Sequence, residues 1–166
     1  MRPLRLQCFS CELTLRKVMV PAKAQRHIVR KHYPERKNGR WSMFCERTMP
    51  SHRLFTVVID LLRSGRLKAS EKQDSNGRHN YIYFYTFPFN VGVFPKGHGR
   101  FRKTKTIKIV TRHSKCQECS RHWPSKVITS YPCKRKRTIW SVKTVTNVGR
   151  LSSMDFEVDE LTKPID

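Results

Sequence analysis

The feature that most constrains this chain is a pair of thiols followed by a pair of imidazoles. The N-terminal segment reads Cys8-Phe-Ser-Cys11, then fifteen residues, then His27-Ile-Val-Arg-Lys-His32. A Cys-x-x-Cys pair folds into a tight knuckle that aims two thiolates at one point, and zinc seeks four such ligands in a tetrahedron. Histidines five positions apart lie slightly more than one helical turn from each other, so a helix can supply the other two ligands. The spacing therefore predicts a zinc site at Cys8, Cys11, His27 and His32. The gap between its halves exceeds the usual ~12 residues by about one helical turn.

The run Val20-Pro21-Ala-Lys-Ala-Gln-Arg-His27-Ile-Val-Arg-Lys-His32-Tyr-Pro-Glu35 resembles the helix of BED-type zinc fingers of the hAT-transposase lineage. In those fingers a similar helix follows a Cys-x-x-Cys knuckle. The resemblance covers residues 8–35 and is confined to the metal-binding half of such fingers. It implies that Cys8, Cys11, His27 and His32 are ligands and that Lys23, Arg26 and Arg30 lie on a DNA-facing helix.

A second cluster reads His113-Ser-Lys-Cys116-Gln-Glu-Cys119-Ser-Arg-His122, with Cys133 following after a further turn. Cys116, Cys119 and Cys133 with either His113 or His122 would make a Cys3His zinc site, an ordinary structural set. Reduced structural thiols and a redox Cys-x-x-Cys are the alternatives. A thioredoxin-like motif opens a helix beside a βαβ unit, whereas this pair follows a basic strand. Cys45 stands alone. Two zinc ions are thus the expected cofactors.

Charge is the second strong signal. Thirty-five Lys and Arg against twelve Asp and Glu give +23, and five of the acids (Asp155, Glu157, Asp159, Glu160 and Asp166) lie near the C-terminus. A compact domain so charged repels itself until a polyanion neutralises it. Nucleic acid is the favoured partner, since each neutralised phosphate releases a condensed counterion. An anionic membrane is the competitor, but the sequence has neither a long basic amphipathic helix nor an apolar run of spanning length. The candidate contacts are Lys23, Arg26 and Arg30, the strand-like run holding Arg100, Arg102, Lys103, Lys105, Lys108 and Arg112, and Lys134, Arg135, Lys136 and Arg137. The last four residues also read as a nuclear localisation signal. No apolar leader segment is evident, and cysteines without one read as metal ligands or reduced thiols. The expected location is nuclear or cytosolic.

The periodicity predicts an α+β fold. A small zinc finger over residues 1–36 precedes a mainly β, basic domain over 37–150 with one helix and the second Cys knuckle. An acidic, frayed tail covers 151–166. Residues 52–63 carry Phe55, Val58, Ile59 and Leu62 at helical spacing, with Ser51 as N-cap and Gly65 as the C-terminal stop. The run Thr56-Val-Val-Ile59 argues for a strand instead. Asn76-Gly77 marks a hairpin turn whose second arm, Tyr81–Phe87, alternates as a strand does. A helix followed by a basic hairpin also suggests a winged helix, which needs two more helices than the pattern supplies.

Catalysis finds little support. The acids before the tail are Glu12, Glu35, Glu46, Asp60, Glu71, Asp74 and Glu118, and none pairs in a motif that holds two metals. Walker, nucleophile-elbow, His-Glu-x-x-His and deaminase signatures are absent. The readings left are a DNA-binding regulator using the finger helix and a basic strand, a general RNA or single-strand binder, a ribonucleoprotein component, and a small viral-type accessory protein. The single-strand reading would use the rings of Tyr81–Phe87 as stacking platforms. Outward-facing Lys23, Arg26 and Arg30 place DNA slightly ahead of RNA.

Overall fold

A computed structural model describes residues 8–33, 41–73, 76–135, 137–145 and 150–159. Two helices come first, α1 (Phe9–Arg16) and α2 (Ala22–His32). Strand β1 (Met43–Phe44) and helix α3 (Ser51–Arg63) follow. The rest is β: β2 (Ser70–Gln73), β3 (His79–Thr86), β4 (Gly92–Gly97), β5 (Arg100–Thr104), β6 (Thr106–Lys115), β7 (His122–Cys133), β8 (Arg137–Val145) and β9 (Arg150–Asp159). The strands form an antiparallel sheet β2-β3-β6-β7, a smaller one β1-β4-β5, and a β8-β9 ribbon. The α+β expectation holds at this level.

Helix α3 forms despite its β-branched run because its buried stripe falls on Leu54, Val58, Leu61 and Leu62. That stripe is turned slightly from the one expected, leaving Phe55 and Ile59 half-buried at its margin. Pro50 occupies the N-cap and Ser51 is already helical, so the expected cap is off by one residue. Gly65 ends the helix with φ +67°, and its N–H donates to the Leu62 carbonyl. This is the left-handed position that glycine accepts without strain.

The β2–β3 hairpin turns where Asn76-Gly77 predicts, with Gln73 opposite His79 and φ +78° at Gly77. Strand β3 buries residues on both faces, because Tyr83 and Phe87 enter the core on one side and Ile82 is buried on the other. The expected continuous basic strand from Arg100 to Arg112 is two strands in two sheets. The chain turns the corner at Lys105, where the Thr106 N–H donates to the Thr104 hydroxyl and that hydroxyl donates to the Cys133 carbonyl. At the seam between the sheets Gly92 lies against β1 and β7. A Cβ there would stand 2.2 Å from the Met43 carbonyl oxygen and 2.7 Å from Pro132 Cγ.

Strand β7 is an edge of its sheet, which is where Pro124 and Pro132 can sit without breaking a ladder. Part of that edge is covered by the linker between α1 and α2. The Met19 N–H donates to the Ser125 carbonyl (3.1 Å), and the Val127 N–H donates to the Met19 carbonyl (2.9 Å). Beyond it α2 presses Ala24 and Ile28 into the same core as Leu54, Val58, Ile107, Ile109 and Val127. The described part of residues 1–36, the segment expected to be a zinc finger, shares the core of the sheet and α3. The residues around the expected boundary, 34–40, lie outside the described ones. Of the tail expected from 151 onward, residues up to Asp159 are paired with β8, and 160–166 lie outside the description.

Candidate metal centre

Four cysteines from distant parts of the sequence converge. Cys8 sits at the N-cap of α1 and Cys11 in its first turn, while Cys116 and Cys119 lie in the turn that closes β6 onto β7. The Met19–β7 pairing brings α1 to this end of the sheet, so two local motifs separated by 108 residues face each other. Their four sulfurs lie within 4.8 Å of one another.

Sulfurs this close together could hold a metal ion. A zinc ion with Zn–S bonds of ~2.3 Å puts tetrahedral thiolates about 3.8 Å apart. Cys8 Sγ and Cys116 Sγ are 3.8 Å apart, and Cys11 Sγ and Cys119 Sγ 3.1 Å. Both distances are far longer than the ~2.05 Å of a disulfide. The knuckle is shaped to hold its sulfurs. The Cys116 N–H donates to the Arg121 carbonyl (2.7 Å), the Ser120 N–H to the Cys116 carbonyl (3.1 Å), and Ser120 takes φ +65° to close the turn. Cys11 and Cys116 are buried, Cys8 is partly so, and Cys119 is exposed.

The electrostatics favour a cation. The backbone N–H of Cys119 bonds to the Cys116 sulfur, which lowers that thiol to about 7 against the opposing effect of burial. Burial raises Cys11 to about 12, reinforced by the adjacent Cys119 and relieved in part by the Trp123 indole N–H. That indole nitrogen is buried with no hydrogen-bond partner among the described residues. The Cys11 amide favours the Cys8 thiolate, but burial and the neighbouring Cys116 and Glu118 carry Cys8 above the usual thiol value. Glu118 Oε2 lies 3.4 Å from Cys8 Sγ and accepts a hydrogen bond from the neutral thiol. Four thiolates crowded this closely need a divalent ion to ionise together.

The structure thus joins the two Cys-x-x-Cys pairs into one site. It does not bring His27 and His32 to Cys8 and Cys11. His32 is buried on α2, its ring stacked on Tyr131 at 5.1 Å and edge-on to Trp41. Its Nδ1 is 2.8 Å from the Ser42 carbonyl oxygen, which can only accept, so the proton is on Nδ1. Burial pushes this imidazole below its usual value, and His27, 5.9 Å away ring to ring, is lowered by burial and by Lys31 and Arg30. His113 is likewise engaged away from the sulfurs: its ring stacks on Tyr81 at 3.6 Å and its Nε2 is 2.9 Å from the Tyr83 hydroxyl. His122 is exposed beside the knuckle, outside the sulfur cluster. Cys133 ends β7, eleven strand residues from His122, which is roughly 35 Å at an ordinary strand rise.

Of the basic candidates, Lys23, Arg26 and Arg30 are all exposed on α2, opposite its buried Ala24, Ile28 and His32. Arg100, Arg102, Lys103 and Lys134 are exposed as well. Lys108 is half-buried with its Nζ 5.6 Å over the Tyr131 ring. Lys105, Arg112 and Arg135 are half-buried and already engaged with neighbouring groups. Lys136 lies outside the described residues, and Arg137 opens β8. The rings of Tyr81 and Tyr85 are half-buried and packed against the core, and Phe87 lies in it. No described helix is long and apolar enough to cross a membrane. Comparisons with protein-family models, curated proteins and solved structures find no match to this chain.

Proposed function

We propose that this is a nucleic-acid-binding protein stapled by one zinc ion at Cys8, Cys11, Cys116 and Cys119, acting by binding rather than catalysis. An all-thiolate tetrahedron selects zinc or an iron–sulfur cluster, and the 3.8 Å edge between Cys8 and Cys116 fits a single zinc. The observation that carries the nucleic-acid reading is α2. Its apolar stripe is clamped against the sheet, while Lys23, Arg26 and Arg30 project from the opposite side with no acidic residue on the helix. In a chain of net charge +23 such a face seeks phosphates. DNA is ahead of RNA in this reading because a fixed helix presenting arginine suits a groove, while the tyrosines that could stack single-stranded bases are committed to packing.

Binding of the zinc-loaded chain to nucleic acid, titrated at several salt concentrations, tests it. With six to ten phosphates contacted, affinity falls by roughly 10³–10⁵ between about 50 and 200 mM salt. Flat binding across that range, or none, rejects the proposal.

A further inference from the structure

The β4–β5 hairpin carries four basic residues, Lys96, Arg100, Arg102 and Lys103. Its two strands are held at the base, where the Val91 N–H donates to the Thr104 carbonyl (2.9 Å) and Gly92 lies against β1 and Pro132. Its tip stands free of the body. Gly97, His98 and Gly99 take φ values of +103°, +53° and +72° in succession. A Cβ at Gly97 or Gly99 would meet nothing within 4 Å. Lys96, His98, Arg100, Arg102 and Lys103 are all exposed, and no acid occurs between Gly92 and Thr104. Phe101 lies opposite Pro95, a half-buried apolar pair that stiffens the ribbon, and Phe94 lies opposite Arg102.

The dimensions suit one partner. Arg100 and Arg102 are two apart on β5, so they lean to the same face of the ribbon, with Lys103 on the other. Five strand residues extend ~17 Å, and two paired backbones are ~5 Å apart. A ribbon of that width enters the DNA major groove, ~12 Å wide and ~8.5 Å deep, where arginine bonds both acceptors of a guanine edge. The A-form RNA major groove is too deep and narrow for this. We infer that the β4–β5 hairpin is a groove-entering arm for duplex DNA, with Arg100 and Arg102 reading guanine edges and Lys96 and Lys103 holding the flanking phosphates. The inference rests on the nucleic-acid reading above and assigns it a second element, independent of α2.

The test uses the zinc-loaded full chain and the double variant R100Q/R102Q. Binding is measured by fluorescence anisotropy to a DNA duplex of about two helical turns, to the same duplex as RNA, and to the DNA single strand. The variant should lose about ten- to hundredfold on duplex DNA and markedly less on the other two, with zinc content and thermal melt unchanged. Equal loss on all three probes makes the hairpin a general phosphate clamp and overturns the inference. No loss on any makes it a lysine-protected edge and overturns it too, yet leaves the nucleic-acid reading intact. If the unsubstituted chain binds none of the probes, both fall. A second readout needs no variant: the bound chain should protect guanine N7, a major-groove atom, from dimethyl sulfate. Unprotected N7 in a saturated complex contradicts groove entry whatever the variant does.

Discussion

Replacing Cys8 and Cys116 by serine, singly and together, probes the shared site through its effect on stability. The two residues are 108 apart in sequence. A cross-link closing a loop of that size removes unfolded-state entropy equivalent to ~4.7 kcal/mol, and a zinc ion held from both ends closes the same loop. Against a typical total of ~5–15 kcal/mol this is a large share. At roughly 2–4 °C per kcal/mol for a chain of this size, either substitution should lower the melting temperature by ~10–20 °C. The double variant should melt within a few degrees of the worse single one, because both remove the same ion. Its coupling energy is then about as large as the single effect, not near zero as for independent sites. The assay is thermal unfolding followed by circular dichroism, with zinc quantified in each sample. Additive losses, or coupling of Cys8 to His27 in place of Cys116, would refute the reasoning.

Other consequences follow from the same geometry. His113 is held neutral at about 4, first by burial and then by the charge of His122, against an unfolded value of 6.5. The folded state therefore binds fewer protons, so the stability is intact above pH 6.5 and drains away as pH falls towards 4. With solvent screening of a half-buried ring the loss is ~1–2 kcal/mol. It should appear as a smaller acid sensitivity of His113→Gln in urea melts at both ends of that window, the difference cancelling any metal release. An unchanged acid sensitivity would remove His113 from the account. Gly92→Ala should cost ~3 kcal/mol, since its methyl group meets the backbone of β1 and the Pro132 ring. Gly99→Ala should cost only ~1–2 kcal/mol, because the site is open and the penalty is the φ of +72° alone. Denaturant melts that rank the two glycines in the opposite order would contradict the packing at the β1–β4–β7 seam.

The elements that were legible are those whose signals are local. Gly65 and Gly77 mark chain reversals that need a left-handed residue, and both are found so. The β-branched run in α3 misleads only if read without the tertiary burial of Leu54 and Leu61 that decides it. The metal centre was legible in its parts and not in its assembly. Both Cys-x-x-Cys pairs join the cysteine cluster that could hold a metal ion, but each lies near histidines at a plausible ligand spacing. Local closure therefore competed with a closure across 108 residues that only the Met19–β7 pairing reveals. The signal available was symmetry: two identical half-sites complete one tetrahedron without any histidine. His32, buried, and His113, half-buried, are instead engaged in their own hydrogen bonds, to the Ser42 carbonyl and the Tyr83 hydroxyl. Likewise the basic run through Arg112 gives no warning that Lys105 is a corner between sheets.

The central claim is one thiolate-only metal site joining the two ends of the fold. X-ray absorption on the zinc-loaded chain, with metal content measured on the same sample, tests it most directly. One zinc per chain with a single shell of four sulfurs at ~2.3 Å is the predicted result. Two zinc ions per chain, or a shell containing nitrogen at ~2.0–2.1 Å, would show that histidines complete separate sites and would contradict it.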